Sequence, residues 1–159
     1  MKKLLWLLVV ISIFLLGRVE HTGVEIRRLE PVEVVRVLEN EDGISIMTDT
    51  GAMGVGKDLS AAVENLQASS VATVFLDTAE YLLLSNQTRE YLPQLWELLR
   101  PACQVCVAEG EVDLTEAGGF LKTHPPEVNL LQCRADSVEL PQLYYQEGRG
   151  QLVRGNDYS

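Results

Sequence analysis

Apolar and polar positions change rhythm several times along the chain, and each change marks an element. Leu4 to Leu16 is apolar except for Ser12, with Lys2 and Lys3 before it and Gly17 and Arg18 after it. Val32 to Leu38 is rich in β-branched residues, the run Glu39-Asn40-Glu41-Asp42-Gly43 signals a turn, and Ile44 to Thr50 returns with Ile44 and Ile46 on one face. This pattern predicts a β-hairpin. Asp58 then stands as an N-cap before Leu59, Ala62, Val63 and Leu66, the i, i+3, i+4, i+7 spacing of a helix with one apolar face, which Ser69 and Ser70 end.

A similar alternation continues through the second half. A strand is expected over Ala72 to Leu76, a bend at Asp77 to Glu80, and more strand from Tyr81 to Leu84. Asn86 to Thr88 leads into a helix whose face is Leu92, Leu95, Trp96 and Leu99. Pro93 fits only its first turn, where a missing N–H costs little, and Pro101 stops it. Gln104 to Ala108 reads as a strand, and Asp113 with Glu116 makes a capping-box start for a helix over Leu114 to Leu121, ended by Pro125 and Pro126. Val128 to Leu143 is expected to add a strand or two.

The order β-β-α-β-α-β-α places the chain in the α/β (α+β) class, a mixed β-sheet covered by amphipathic helices and preceded by one N-terminal hydrophobic helix. Residues 1–18 are expected to be a signal peptide or membrane anchor, 19–31 a lead-in, 32–145 a single extracytoplasmic domain and 146–159 a flexible tail. A helix over Leu4 to Gly17 would reach about 21 Å, short of the roughly 30 Å of bilayer hydrocarbon. Its basic start and apolar length have the shape of a signal-peptide core, but no A-x-A-like cleavage site follows. Cleavage and retention as an anchor, with Lys2, Lys3 and Arg18 snorkelling at its edges, both stay open.

Composition narrows the functions. A chain of 159 residues supports one modest domain. Of its 13 Lys and Arg, Lys2 and Lys3 precede the apolar segment, leaving 11 against 23 Asp and Glu and a net charge of −12 beyond it. No basic stripe exists to follow a nucleic-acid backbone, so no nucleic acid is expected as a partner. The positive-inside rule keeps Met1 in the cytoplasm and puts the acidic part outside.

Several stretches together carry a family resemblance: the signal segment, the lead-in Val24-Glu25-Ile26-Arg27-Arg28-Leu29-Glu30, Gly56-Lys57-Asp58-Leu59 opening a helix with Ala62, the extended Thr73 to Leu84, and Val107-Ala108-Glu109-Gly110 before a short helix. Over roughly residues 18–125 the chain resembles the N-terminal part of Ger(x)C-type spore germination proteins, the C subunits of nutrient germinant receptors. The resemblance implies a single-pass protein of the cell or spore membrane, with its C-terminal domain outside the cytoplasm and a role in assembly or signalling. Its implied partners are membrane proteins, among them germinant receptor subunits. Two departures stand out. The family's signal ends in a lipobox Cys that is acylated, whereas Leu15-Leu16-Gly17 is followed here by Arg18. The family proteins are also longer, so this chain reads as a shortened relative.

Gly51-Ala52-Met53-Gly54-Val55-Gly56-Lys57 satisfies G-x-x-x-x-G-K between a strand and a helix, the setting of a P-loop. Asp58, however, occupies the position where Ser or Thr would hold Mg²⁺, so the expected reading is a glycine-permitted turn into a capped helix. Cys103-Gln104-Val105-Cys106 is C-x-x-C in form but sits in a predicted strand, where residues three apart point to opposite faces. With His124 and Cys133 it could supply zinc ligand types, and Cys133 could pair with Cys103 or Cys106, yet buried free thiols are the default. Glu109, Glu111 and Asp113 could share a strand face in solvent, Asp77 and Glu80 flank a bend, and His21 and His124 lie in or beside loops. Asn86-Gln87-Thr88 has the form of a glycosylation acceptor and is read as a polar helix entrance.

No catalytic, cofactor-binding or metal residue is assigned, and no cofactor. The expected function is a non-catalytic, membrane-associated interaction domain in spore germination or spore membrane protein assembly. A general cell-envelope ligand-binding module is the alternative, followed by a small exported enzyme.

Overall fold

The computed structural model describes residues 29–135, 138–146 and 148–154. The expected N-terminal hydrophobic helix, most of the lead-in and the last residues of the expected tail lie outside these.

The predicted hairpin forms as β2 (Val34–Asn40) and β3 (Gly43–Thr48), antiparallel, with Asn40 opposite Gly43. Gly43 takes a positive φ of 118°, the backbone freedom the turn needs. After a second turn β4 (Met53–Gly56) joins β3, and helix α1 (Leu59–Ser69) lies over it. Here the expected turn is corrected. Gly54 and Gly56 belong to an edge strand, and a Cβ on either would collide with the backbone of α1. The glycines serve close strand–helix packing. Asn65 Nδ2 and Ser69 Oγ of α1 donate to the Val55 and Met53 carbonyls at 2.8 and 3.1 Å, satisfying outward acceptors of that edge.

The strand expected over Ala72 to Leu76 forms as the shorter β5 (Thr73–Phe75). It pairs in parallel with β1 (Leu29–Pro31), outside the main sheet, with Leu29 opposite Thr73. A 3-10 turn at Leu76–Thr78 then leads to β6 (Tyr81–Leu84), as the expected bend requires. The helix predicted across Leu92 to Leu99 is shorter than its apolar stripe. A 3-10 turn over Gln87–Tyr91 precedes a four-residue α2 (Leu92–Leu95), with Pro93 in its first turn, and mixed i+3 and i+4 bonds follow it. Leu95 and Leu99 are still buried, whereas Trp96 is only half-buried.

β7 (Gln104–Ala108) and α3 (Leu114–Thr123) stand as predicted, Asp113 Oδ1 accepting from Glu116 N at 3.0 Å. Instead of strand, Leu130–Ala135 forms α4, started by a reciprocal cap in which Asn129 and Gln132 each accept the other's backbone N–H at 2.9 and 2.8 Å. Strand returns in β8 (Gln142–Gln146), and the expected tail is corrected by β9 (Arg149–Val153), its antiparallel partner.

The main sheet has the order β4-β3-β2-β6-β7-β8-β9. Its four middle strands run parallel, and an antiparallel pairing borders them on each side. Alternation within each strand divides the core in two. Val35, Val37, Leu82, Leu84, Val105 and Val107 face α1, α2 and α4. Val34, Tyr81, Leu83, Cys106 and Ala108 face α3. Such two-sided burial explains why the parallel strands read as continuous apolar runs. The chain is thus of the α+β class, with a mixed seven-stranded sheet and helices on both faces.

Candidate functional site

Parallel strands bring their C-terminal ends to one side of the sheet, where open α/β folds place ligand crevices. At that end a cleft of about 550 Å³ lies between the loop after β7 and the β8–β9 hairpin. Glu109 and Glu111 come from the loop; Tyr144, Tyr145, Arg149 and Gln151 come from the hairpin. Gly110 between the carboxylates has φ 75°, and Gly148 in the hairpin turn also has φ 75°. Both turns therefore use a left-handed residue that a side chain would strain.

Beneath the cleft lies Arg36, only 3% exposed in the middle of β2. Its Nη2 donates to the Gly110 carbonyl and, at 3.5 Å, to that of Ala108, tying the end of β7 to β2 across β6. Burial lowers the guanidinium pKa, while the negative charges of Glu109 and Glu111 oppose that shift. The carboxylates therefore help hold the buried cation. Glu109 Oε1 also accepts from Asn86 N at 2.8 Å, linking this loop to the one after β6. Thr88, fully buried, donates to the Val37 carbonyl at 3.0 Å and accepts from Ser85 N at 2.9 Å. On the α3 side, Phe120 fills the space a Cβ at Gly150 would need and meets the Tyr145 ring edge-on at 6.3 Å. The Tyr145 phenol is shifted up by burial first and then by the charge of Glu116.

The rest of this end adds negative charge. Glu39, Glu41 and Asp42 are exposed at the β2–β3 turn, and Asp58 and Asp113 cap α1 and α3. Lys57, Arg89 and Arg149 oppose them. Carboxylates beside two phenols suit a cationic group, with Arg149 and Gln151 able to meet a partner's acceptor.

The sequence candidates separate in space. Lys57 follows an extended strand, and Asp58 Oδ1 accepts from Ala61 N at 2.8 Å, filling the helix N-terminus that a phosphate would use in a P-loop. Cys103 and Cys106 are both buried but lie in the two different core clusters, as the strand reading requires. Burial pushes the Cys103 thiol up to about 12 and the Cys106 thiol up as well. Cys133 packs beside the Cys103 side of the core, and all three cysteines are free. His124 is exposed and stacks on Phe120 at 4.5 Å, on the other side from Cys133. Among the described residues no three His, Cys, Asp or Glu side chains gather as a metal site.

Glu109, Glu111 and Asp113 leave the strand and occupy the loop and helix cap after it, which corrects their placement on a strand face. Asp77 is exposed, and Glu80 pairs with Arg100 at 3.3 Å. His21 lies outside the described residues. Asn86 and Gln87 do form a polar helix entrance, with Thr88 turned inward. Arg36 was missed, although one charge inside the run Val34-Val35-Arg36-Val37-Leu38 is a legible signal of a buried polar anchor. The hairpin side of the cleft was missed with β9. No protein-family model matches the chain, and neither the curated proteins nor the solved structures contain a significant match.

Proposed function

We propose that the chain is a non-catalytic, membrane-associated protein whose domain lies outside the cytoplasm and binds other membrane proteins in spore germination or spore membrane assembly. The observation that supports this reading best is the opposition of two ends of the sheet. Leu29, where the described chain begins, enters beside β5 at the end where the parallel strands start. The cleft and most of its surrounding carboxylates lie at the other end. An anchor in the apolar run Leu4 to Leu16 would hold the first end near the bilayer and present the acidic cleft away from it. A basic segment of a neighbouring membrane protein then has the complementary charge. The germination role rests on the Ger(x)C resemblance.

Gene deletion in the host and crosslinking of the tagged protein test this. Expected are normal spore numbers, slowed nutrient germination, and crosslinks to receptor subunits that the double variant Glu109→Lys, Glu111→Lys loses while staying in the membrane fraction. A block before mature spores form moves the role to assembly. Expression confined to growing cells, with both stages unchanged on deletion, refutes the germination role and favours the second reading. That reading is a cell-envelope ligand-binding module, for which the 550 Å³ cleft is the supporting observation.

A further inference from the structure

The end opposite the cleft carries a surface of different composition. Met53 is 54% exposed and Val71 fully exposed, and both border one shallow hollow. Thr50, Gly51, Ala52, Ser69 and Ser70 complete its rim, so the hollow has no charged lining residue. Ser69 Oγ bonds the Met53 carbonyl at 3.1 Å and Ser70 Oγ the Leu66 carbonyl at 2.6 Å, leaving these hydroxyls already partnered within the protein. An uncharged surface with satisfied hydroxyls can enter a lipid headgroup region without stripping water from an ion.

Position supplies the second argument. Val71 stands two residues before Thr73, whose strand partner is Leu29, the first described residue. Residues 18–28 separate Leu29 from the apolar run and, fully extended, span at most about 40 Å. An anchor at Leu4 to Leu16 would confine this end to the neighbourhood of the bilayer. At this end Lys122 and Arg100 pair with Glu33 and Glu80, whereas the carboxylates at the cleft end outnumber the cations beside them and would be repelled more strongly by anionic lipid.

We infer that the hollow bordered by Met53 and Val71 is a membrane-docking surface, with these two side chains entering the lipid interface and fixing the orientation of the domain. This rests on the membrane-anchored reading proposed above. The partner is lipid, because the tether brings this end to lipid whatever proteins are present.

Full-length protein in phosphatidylcholine vesicles, with Cys133→Ser and single added cysteines at Val71, Met53 or Glu111, provides the test. An environment-sensitive fluorophore is attached at each, and nitroxide-bearing lipids serve as quenchers. Labels at 71 and 53 should shift to the blue and be quenched at a depth of about 5 to 10 Å, as for interfacial apolar groups. The label at 111 should remain in water. A further variant, Met53→Asp with the label at 71, should lose most of the quenching while still floating with the vesicles. If the protein floats but the label at 71 behaves as the label at 111 does, the anchor stands and docking is overturned. Failure of the full chain to float overturns the anchored reading and the docking surface together.

Discussion

The two ends of the parallel strands are built on different physics. Where the strands finish, two polar groups are buried and bonded into the frame, Arg36 beneath the β7 loop and Thr88 against β2, while the exposed Asp58 and Asp113 cap the first turns of α1 and α3. Where the strands begin, the polar groups bonded to the frame are half-buried, Asp49 on the Glu33 and Val34 N–H groups and Thr78 on Val32, the ion pairs Lys122–Glu33 and Arg100–Glu80 lie outside, and apolar side chains emerge at Met53 and Val71. Buried polar networks fix one geometry, because a lost partner leaves a costly unsatisfied group. Surface pairs are weakly coupled and easily rearranged. The contrast is consistent with the orientation proposed above, with a defined cleft at one end and a docking surface at the other.

The largest effect should come from Arg36. Methionine fills much of the same volume but cannot donate, so Arg36→Met leaves the Gly110 and Ala108 carbonyls without this donor. A loss of about 2 to 3 kcal/mol is expected in urea denaturation, the usual cost of orphaning buried polar groups. Lys122→Met, at the opposite end, should leave the midpoint unchanged. Equal effects from the two variants would erase the contrast between the ends.

Alkaline pH should produce the next effect, through groups that are buried without a strong hydrogen bond. Burial raises the folded pKa of Cys103 from 9.0 to about 12 and raises that of Cys106. The unfolded chain therefore releases thiol protons first, and stability present below about pH 9 is lost as pH rises toward the folded values. Each thiol contributes a slope of at most about 1.4 kcal/mol per pH unit. Denaturation at pH 8 and pH 10 should show a smaller loss for Cys103→Ala than for the unaltered protein. Identical losses would mean that this thiol ionises alike in both states.

Much of this was legible in the sequence because local rules and burial agree. The caps at Asp58 and Asp113, the β2–β3 hairpin and the opposed faces of Cys103 and Cys106 all follow from spacing within a few residues. The structure departs from these expectations where a partner is distant or a local signal is weak. Nothing near Thr73 says that it pairs with Leu29 rather than with the main sheet. The spacing Asn129-x-x-Gln132, which closes as a reciprocal cap, was a readable helix start inside the stretch Val128 to Leu143 that was expected to add strand. Glu147-Gly148 between two apolar runs was a hairpin signal hidden by a charged, glycine-rich surrounding. Half of the cleft disappeared from the sequence reading with that strand.

Helix caps at the acidic end should each be worth less than Arg36. Asp58→Ala and Asp113→Ala remove the bonds to Ala61 N and Glu116 N, at a cost of about 1 kcal/mol apiece. The sites share no partner, so their double variant should lose about 2 kcal/mol. A clearly smaller double loss, measured by thermal melting, would mean that relief of carboxylate crowding at this end offsets the lost caps.

The smallest effect is expected at the other end, in the Glu80–Arg100 pair. Its atoms are 3.3 Å apart, and its side chains are 46% and 41% exposed, so water and salt screen the attraction. Independently of that pair, the Glu80 backbone is held by its N–H to the Glu33 carbonyl at 2.9 Å and by its carbonyl accepting from Gln104 N at 2.8 Å. Glu80→Gln therefore removes the charge while leaving the junction of β2, β6 and β7 intact. A double-mutant cycle with Arg100→Gln should give a coupling below about 0.5 kcal/mol, falling further in 1 M salt. Coupling above about 1 kcal/mol that persists in salt would show that this end, too, is locked by charge, and a surface locked in that way would lack the freedom to adapt to lipid.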